Sequence, residues 1–211
     1  MFDRLIENLE QRLIDPLPGY QAQSKMSAQP KDGGSFKRTP SKEAKLGGVS
    51  IVLYPHNNEI VMPLIKRPDY EGVHGGQISF PGGKREDQDS DLIATAFRET
   101  EEEIGVPRDS MKMVGTLSEL YIFASDFQVL PVVAALEQRP IFDPDPTEVS
   151  AVVEVGLGHL LDPKNRKRKE LVVRGFAIDA PYFEVEEEVV WGATAMMLNE
   201  FLEVVEEMRL L

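Results

Sequence analysis

Between residues 98 and 105 the chain runs Arg-Glu-Thr-Glu-Glu-Glu-Ile-Gly, and its acids are spaced for one side of a helix. At 3.6 residues per turn, Glu99, Glu102 and Glu103 project together, while Ile93, Ala96, Phe97, Thr100 and Ile104 fall on a neighbouring face suited to a core. Like charges so placed repel by roughly a few tenths of a kcal/mol per pair. A hard divalent cation with oxygen ligands, Mg²⁺ or Mn²⁺, turns that repulsion into coordination. Arg98 stands four residues before Glu102, the separation at which two helical side chains meet, so it is placed to orient the cluster. A bare run of acids would read first as the solvated side of a surface helix. Arg98, Gly105 and the upstream Phe80-Pro81-Gly82-Gly83 argue for the metal instead.

The pattern resembles the Nudix box, G-x5-E-x7-R-E-U-x-E-E-x-G-U with U aliphatic. Residues Arg98 to Val106 match its second half, with Thr100 in an aliphatic place. The first half departs: Gly83 lies one residue too far from Arg98, and Asp89 stands where the box has Glu. One inserted residue must be absorbed before the helix, and Asp89, Ser90 and Asp91 are suited to do so as caps. The resemblance implies an α/β/α sandwich with a mixed central sheet and the box on a loop-helix-loop. It also implies Mg²⁺ or Mn²⁺ held by Glu99, Glu102 and Glu103, with the Gly82 or Gly83 carbonyl completing the shell.

Leu64 to Glu86 narrows the likeness to the Nudix subgroup that hydrolyses coenzyme A, whose signature runs LLTxRSx3Rx3Gx3FPGG. Arg67, Gly76, Phe80, Pro81, Gly82 and Gly83 fit in register, whereas Pro68 replaces Ser and Gly72 replaces Arg. The subgroup's general pattern also carries the inserted residue before the helix. The resemblance, which covers roughly residues 45 to 200, implies water attack on the diphosphate, giving 4'-phosphopantetheine and adenosine 3',5'-bisphosphate. Pro68 and Gly72 keep another Nudix substrate in view, such as ADP-ribose or a nucleoside triphosphate. A non-catalytic ligand sensor is the third reading, against which stand the three retained acids.

Around this core several residues are candidates for single roles. Glu148 occupies the region where many Nudix enzymes bring a distal acid to the metal or the water, and it shares candidacy as general base with a free box acid such as Glu99. Arg67, His74, Gly76 and Gln77 are the candidate substrate contacts, His74 because a glycine-rich setting exposes it and its pKa lies near neutrality. Trp191 reads as a core anchor for the last helix, and Lys164 to Lys169 as a solvated hairpin tip.

The elements that must position these groups follow from pattern. Phe2 to Leu13 is an amphipathic helix expected to pack on the domain or on a partner subunit of a homodimer, and Gln21 to Lys45 an irregular crossing segment. Its cations, Lys25, Lys31, Lys37, Arg38, Lys42 and Lys45, read first as those of an ordinary solvated linker and second as groups that could reach toward substrate phosphates. Gly48 to Pro55 and Glu59 to Arg67 form a hairpin about a His56-Asn57-Asn58 turn; Gln77 to Phe80 is a short strand entering the FPGG loop. Further strands are expected over Met111 to Ile122, Phe127 to Leu136 and Val149 to Leu157, then a turn at Gly158 to Leu161, a hairpin from Glu170 to Val185, and a helix from about Ala193 to Arg209. Residues 1–45 are read as an appendage and 46–211 as one catalytic α/β domain. A net charge of -13 argues against a nucleic-acid partner and leaves an anionic small-molecule diphosphate dependent on local cations. The N-terminus shows no secretory signal or membrane span, so cytoplasmic residence is expected, and with no cysteine neither disulfides nor thiolate metal sites are possible.

Overall fold

The computed structural model describes residues 1–31, 39–41, 43–68, 76–173 and 175–208. His74, Gly72, Lys37, Arg38 and Lys42 lie outside them.

The elements in chain order are α1 (Phe2–Arg12), α2 (Tyr20–Gln23), β1 (Gln29–Pro30), β2 (Lys45–His56), β3 (Glu59–Lys66), β4 (Ile78–Ser79), β5 (Gly82–Lys84), α3 (Leu92–Ile104), β6 (Lys112–Thr116), β7 (Leu120–Ile122), β8 (Phe127–Ala135), β9 (Ala151–Gly156), α4 (Leu157–Leu161), β10 (Arg166–Val173), β11 (Phe176–Val185), β12 (Glu188–Trp191) and α5 (Gly192–Glu207). β2 is the axis of the main sheet. It runs parallel to β8 from Lys45↔Phe127 to Leu53↔Ala135 and antiparallel to β5 at Gly48↔Gly83. It then turns into β3 through Asn57 and Asn58, both left-handed (φ 50 and 64), as a tight two-residue hairpin demands. β9 and β4 join β3, and β6 and β7 join β8, so the sheet is mixed.

Both faces of β2 are covered. Ile51 and Leu53 enter the large core with Leu5 and Leu9 of α1 and Phe201 and Leu202 of α5, whereas Val52 and Tyr54 face Ile104 and Val106 at the end of α3. That double burial is why β2 reads as a continuous apolar run rather than an alternation. Helices on two sides of a mixed sheet give the α/β/α sandwich.

Three expectations need correction. Gln21 to Lys45 is not wholly irregular: α2 rests on α5 through Asn199 Nδ2 donating to Ala22 O (2.9 Å), and β1 adds to β11 at Gln29↔Asp179. Elements this short owe their shape to tertiary partners and carry no period of their own. Buried Glu200 of α5 accepts from Gln23 Nε2 (2.8 Å), Gly19 N (3.0 Å) and Ser118 N (3.3 Å), and thereby ties the N-terminal segment to the core. The basic run is no hairpin tip, since Arg166 to Lys169 form the start of β10, opposite Phe183 to Ala180, with Arg168 paired to Asp179 at 2.6 Å. Finally, Met111 to Ile122 breaks into β6 and β7 around Leu117, and β12 precedes α5, with half-buried Trp191 as the residue that begins the helix. No helix among the described residues is long and apolar enough to cross a membrane.

Candidate active site

Three local features seat α3 on the sheet. The Asp91 carboxylate caps its N-terminus by accepting from Ala94 N (2.8 Å), and Gly105 ends it in the left-handed region (φ 71). At Gly48 a Cβ would lie 2.2 Å from the Leu92 carbonyl oxygen, so only glycine lets the helix start this close to β2. The off-type Thr100 is buried against Ser50 of β2: their hydroxyls stand 2.8 Å apart and reach the Ala96 carbonyl at 2.7 and 3.1 Å. A polar residue is therefore satisfied where the box calls for an apolar one.

Arg98 is the hub of the site, 3% exposed. Its guanidinium donates through Nε and Nη2 to the two Asp89 oxygens (2.9 and 3.0 Å), through Nη2 to Lys84 O (3.1 Å) and through Nη1 to Glu102 (2.7 Å). It also stands 3.0 Å from Glu99. Asp89 accepts further from Glu86 N and Thr95 Oγ1, both at 2.9 Å. Hydrogen bonding by Arg98 holds the Asp89 carboxyl well below the usual range in spite of its burial, and the same bonds keep Arg98 firmly protonated. Asp89 is thus no helix cap: Asp91 alone caps, and the inserted residue lets the loop fold around a buried Asp89–Arg98 pair. The x5 spacing that singled out Asp89 was the available signal for this role.

The three box acids differ in setting. Glu103 is buried, accepts from Gly82 N at 2.7 Å and lies 3.3 Å from Arg67 Nη2. Burial pushes its carboxyl up to about 7, against the pull of Gly82 N–H and Arg67, with the charges of Glu99 and Glu148 adding to the rise. Glu99 is raised by burial too, offset in part by Arg98, with Glu102 and Glu148 again on the raising side. Glu102 is half exposed. Glu99 lies against the backbone of Gly83, where a Cβ would come within 2.4 Å of its carboxyl carbon.

The two glycine carbonyls are not equivalent. Ser50 N donates to Pro81 O and Arg85 N to Leu46 O, so alternation makes Gly48 and Gly83 a bonded pair and turns the Gly83 carbonyl into β2. The Gly82 carbonyl instead faces Arg67 at 3.5 Å. Gly83, expected as a ligand, serves the site through its missing side chain, and Gly82 carries the carbonyl on the acids' side. Among the described residues no three acidic or histidine side chains stand close enough to hold an ion as placed, and Arg98 and Arg67 pair with the box acids. The donor set nevertheless suits a hard dication: oxygen donors only, two of the acids destabilised in their charged form.

Glu148 is brought in by a pinned loop. Asp143 N and Asp145 N donate to Ile104 O and Glu103 O at the end of α3, and Ser150 N donates to Lys66 O at the end of β3. The segment between spans the gap between box helix and strand, and the charge of Glu148 reaches both Glu99 and Glu103. Of the other substrate-contact candidates, Gln77 accepts through its carbonyl from Arg67 N (3.1 Å), and Gly76, left-handed at φ 67, donates from N to Pro68 O (3.1 Å). Both contacts are made by backbone atoms.

A model of the NUDIX domain matches residues 45–176. The uncharacterized Nudix hydrolase NudL of Yersinia enterocolitica is 33% identical over 177 residues, which span 83% of this chain and 87% of that protein. Among solved structures, a Nudix hydrolase from M. smegmatis, RenU, superimposes with a TM-score of 0.55 at 14% identity, covering 87% of this chain and 96% of that one. The NUDIX domain of Shewanella oneidensis NrtR, crystallised with ADP ribose, gives 0.51 at 15% identity over 80% and 90% of the two chains. At those identities the structural likeness concerns the fold.

Proposed function

Because the chain belongs to the NUDIX family and is a Nudix hydrolase, a class that generally uses divalent metal ions, we propose that it is a cytoplasmic enzyme that hydrolyses the diphosphate of coenzyme A or its derivatives. The products would be 4'-phosphopantetheine and adenosine 3',5'-bisphosphate. The observation that carries this reading is Arg67: a residue of the coenzyme A signature, at the exit of β3, has its guanidinium between the Gly82 carbonyl of the FPGG loop and Glu103 of the box. ADP-ribose is the second reading, favoured by Pro68 and Gly72 at the two places where the signature is broken.

Glu99, Glu102, Glu103 and the Gly82 carbonyl would hold Mg²⁺ or Mn²⁺, which when bound neutralises diphosphate charge and acidifies a bound water. Arg98 keeps Glu99 and Glu102 aimed, anchored from behind by Asp89. Arg67 supplies a cation for the substrate's phosphates at the mouth of the loop. Glu148, exposed and acidic beside Glu99 and Glu103, takes the proton from the attacking water.

Two expected results follow. Glu148→Gln keeps volume and an oxygen but loses basicity, so kcat should fall at least tenfold with KM little changed and the acid limb of the pH-rate profile lost. A variant within about twofold of wild type, a difference of ~0.4 kcal/mol, would return Glu148 to the surface. Arg67→Ala should raise KM for coenzyme A about tenfold or more, and far more than for a generic diphosphate. Equal effects would make Arg67 a structural partner of Glu103. The reading as a whole is tested by ranking kcat/KM for coenzyme A, ADP-ribose and a nucleoside triphosphate with each metal; coenzyme A should lead.

A further inference from the structure

Beside the catalytic end of β3 lies a groove of about 570 Å³ that the diphosphate chemistry does not use, lined by Ala151, Val152, Val153 and Glu154 of β9 and by Glu186 and Glu187 of the β11–β12 turn. It begins next to the site: Ala151 pairs with Lys66, the residue before Arg67, and Lys66 Nζ reaches Glu188 at 2.5 Å.

Among the described residues the floor of the groove is an unpaired strand edge. In the β2–β3 hairpin the closing pair His56↔Glu59 is a bonded pair, so odd-numbered residues of β3 direct their backbone groups at β2 and β4; Arg67 N, donating to Gln77 O, keeps that parity. Even-numbered Met62, Leu64 and Lys66 therefore bond Val155, Val153 and Ala151. The backbone N–H and C=O of Val152 and Glu154 point away from β3, and among the described residues no strand pairs with them. Pro63 opposite Glu154 fits this register, since no N–H is wanted there. The Glu154 carboxylate is engaged on Tyr54 (2.6 Å) and Arg139 (2.6 Å), which leaves its backbone as the available group.

An open edge recruits extended, amide-bearing chains. A second copy of this strand would bring its own Glu186 and Glu187 against these, so like charge disfavours self-pairing. We propose that this groove receives the uncharged, amide-bearing arm of the substrate, its amides pairing with the backbone of Val152 and Glu154, and that Glu186 and Glu187 reject substrates whose far end is anionic. This rests on the coenzyme A reading, whose pantetheine arm carries two amides in an extendable chain. The six residues of β9, at about 3.3 Å each, offer roughly 20 Å of edge for it.

The test compares acetyl-coenzyme A, succinyl-coenzyme A and ADP-ribose as substrates of wild type, Val152→Pro and the double variant Glu186→Lys/Glu187→Lys. Wild type should favour the acetyl over the succinyl thioester, and the double variant should narrow that ratio about fivefold or more. Val152→Pro removes an edge N–H without breaking the β3 ladder, so it should lower kcat/KM for acetyl-coenzyme A about fivefold relative to that for ADP-ribose. Should the proline variant melt early, the charge reversal decides. Cleavage of coenzyme A thioesters with the variants' ratios unmoved within twofold overturns the groove and leaves the coenzyme A reading standing. ADP-ribose cleavage with no turnover of either thioester by wild type overturns both.

Discussion

Glu103→Gln is expected to lower turnover at saturating Mg²⁺ by about a hundredfold or more while the protein stays folded. The substitution keeps the volume and an oxygen able to accept from Gly82 N, so the loop-to-helix contact survives. It deletes one formal charge from the acid set. Glu103 is nearly inaccessible, and its carboxyl is raised from 4.5 to about 7, mainly by burial. A raised carboxyl binds its proton more tightly in the folded state, so its ionisation costs metal-free stability as pH climbs from about 4.5 to about 7. The Gln variant lacks that cost, and in chelator above pH 7 it should melt at or above the wild-type temperature. Wild type should gain the larger stabilisation on adding metal. Turnover within tenfold of wild type at saturating metal would remove Glu103 from the ligand set.

Asp89→Asn is expected to lose both stability and activity. Arg98 is buried, and its two bonds to Asp89 neutralise it where water cannot. Breaking one side of such a pair costs about 3–5 kcal/mol, and the contacts that Arg98 keeps with Glu99 and Glu102 place this case near ~3 kcal/mol. For a chain of this size that is a fall of roughly 6–12 °C in melting temperature. Turnover should fall as well, because an unanchored Arg98 no longer aims two of the acids. The pH dependence has a definite sign. The Asp89 carboxyl is depressed in the folded state, so its contribution is fully present above its ordinary value of 3.8 and is lost as pH falls toward the folded one. Denaturant unfolding should show a constant gap between wild type and variant from about pH 8 to 5, narrowing below about pH 4. A gap under ~0.5 kcal/mol at pH 7 would mean that the pair does not anchor the box.

The clustering of the acids on α3, the contact of Arg98 with Glu102 and the β2–β3 hairpin were legible because each rests on local spacing: i, i+4 on a helix, and two asparagines between apolar runs. Less legible were features made by partners distant in sequence. Asp89 sits in a loop of polar residues, and beyond its x5 spacing from Gly83 nothing local distinguishes a cap from a buried anchor nine residues before its arginine. Thr100 departs from the box by itself, yet Ser50, fifty residues earlier, completes it. Which of two adjacent glycines offers its carbonyl depends on the register of β5 on β2, and a shift of one residue would exchange them. The basic run at Arg166 looked like a solvated tip because its charges outweigh its pattern. The structure pairs those charges across the strand instead, Lys167 with Glu184 and Arg168 with Asp179.

The most direct measurement is mass analysis of the products formed from coenzyme A in ¹⁸O-labelled water, with Mg²⁺ or Mn²⁺ present and again after chelation. The account predicts metal-dependent formation of 4'-phosphopantetheine and adenosine 3',5'-bisphosphate in equal amounts, with one labelled oxygen on one of the two new phosphomonoesters. Intact coenzyme A beside rapid cleavage of ADP-ribose, or cleavage that persists undiminished in excess chelator, would contradict it.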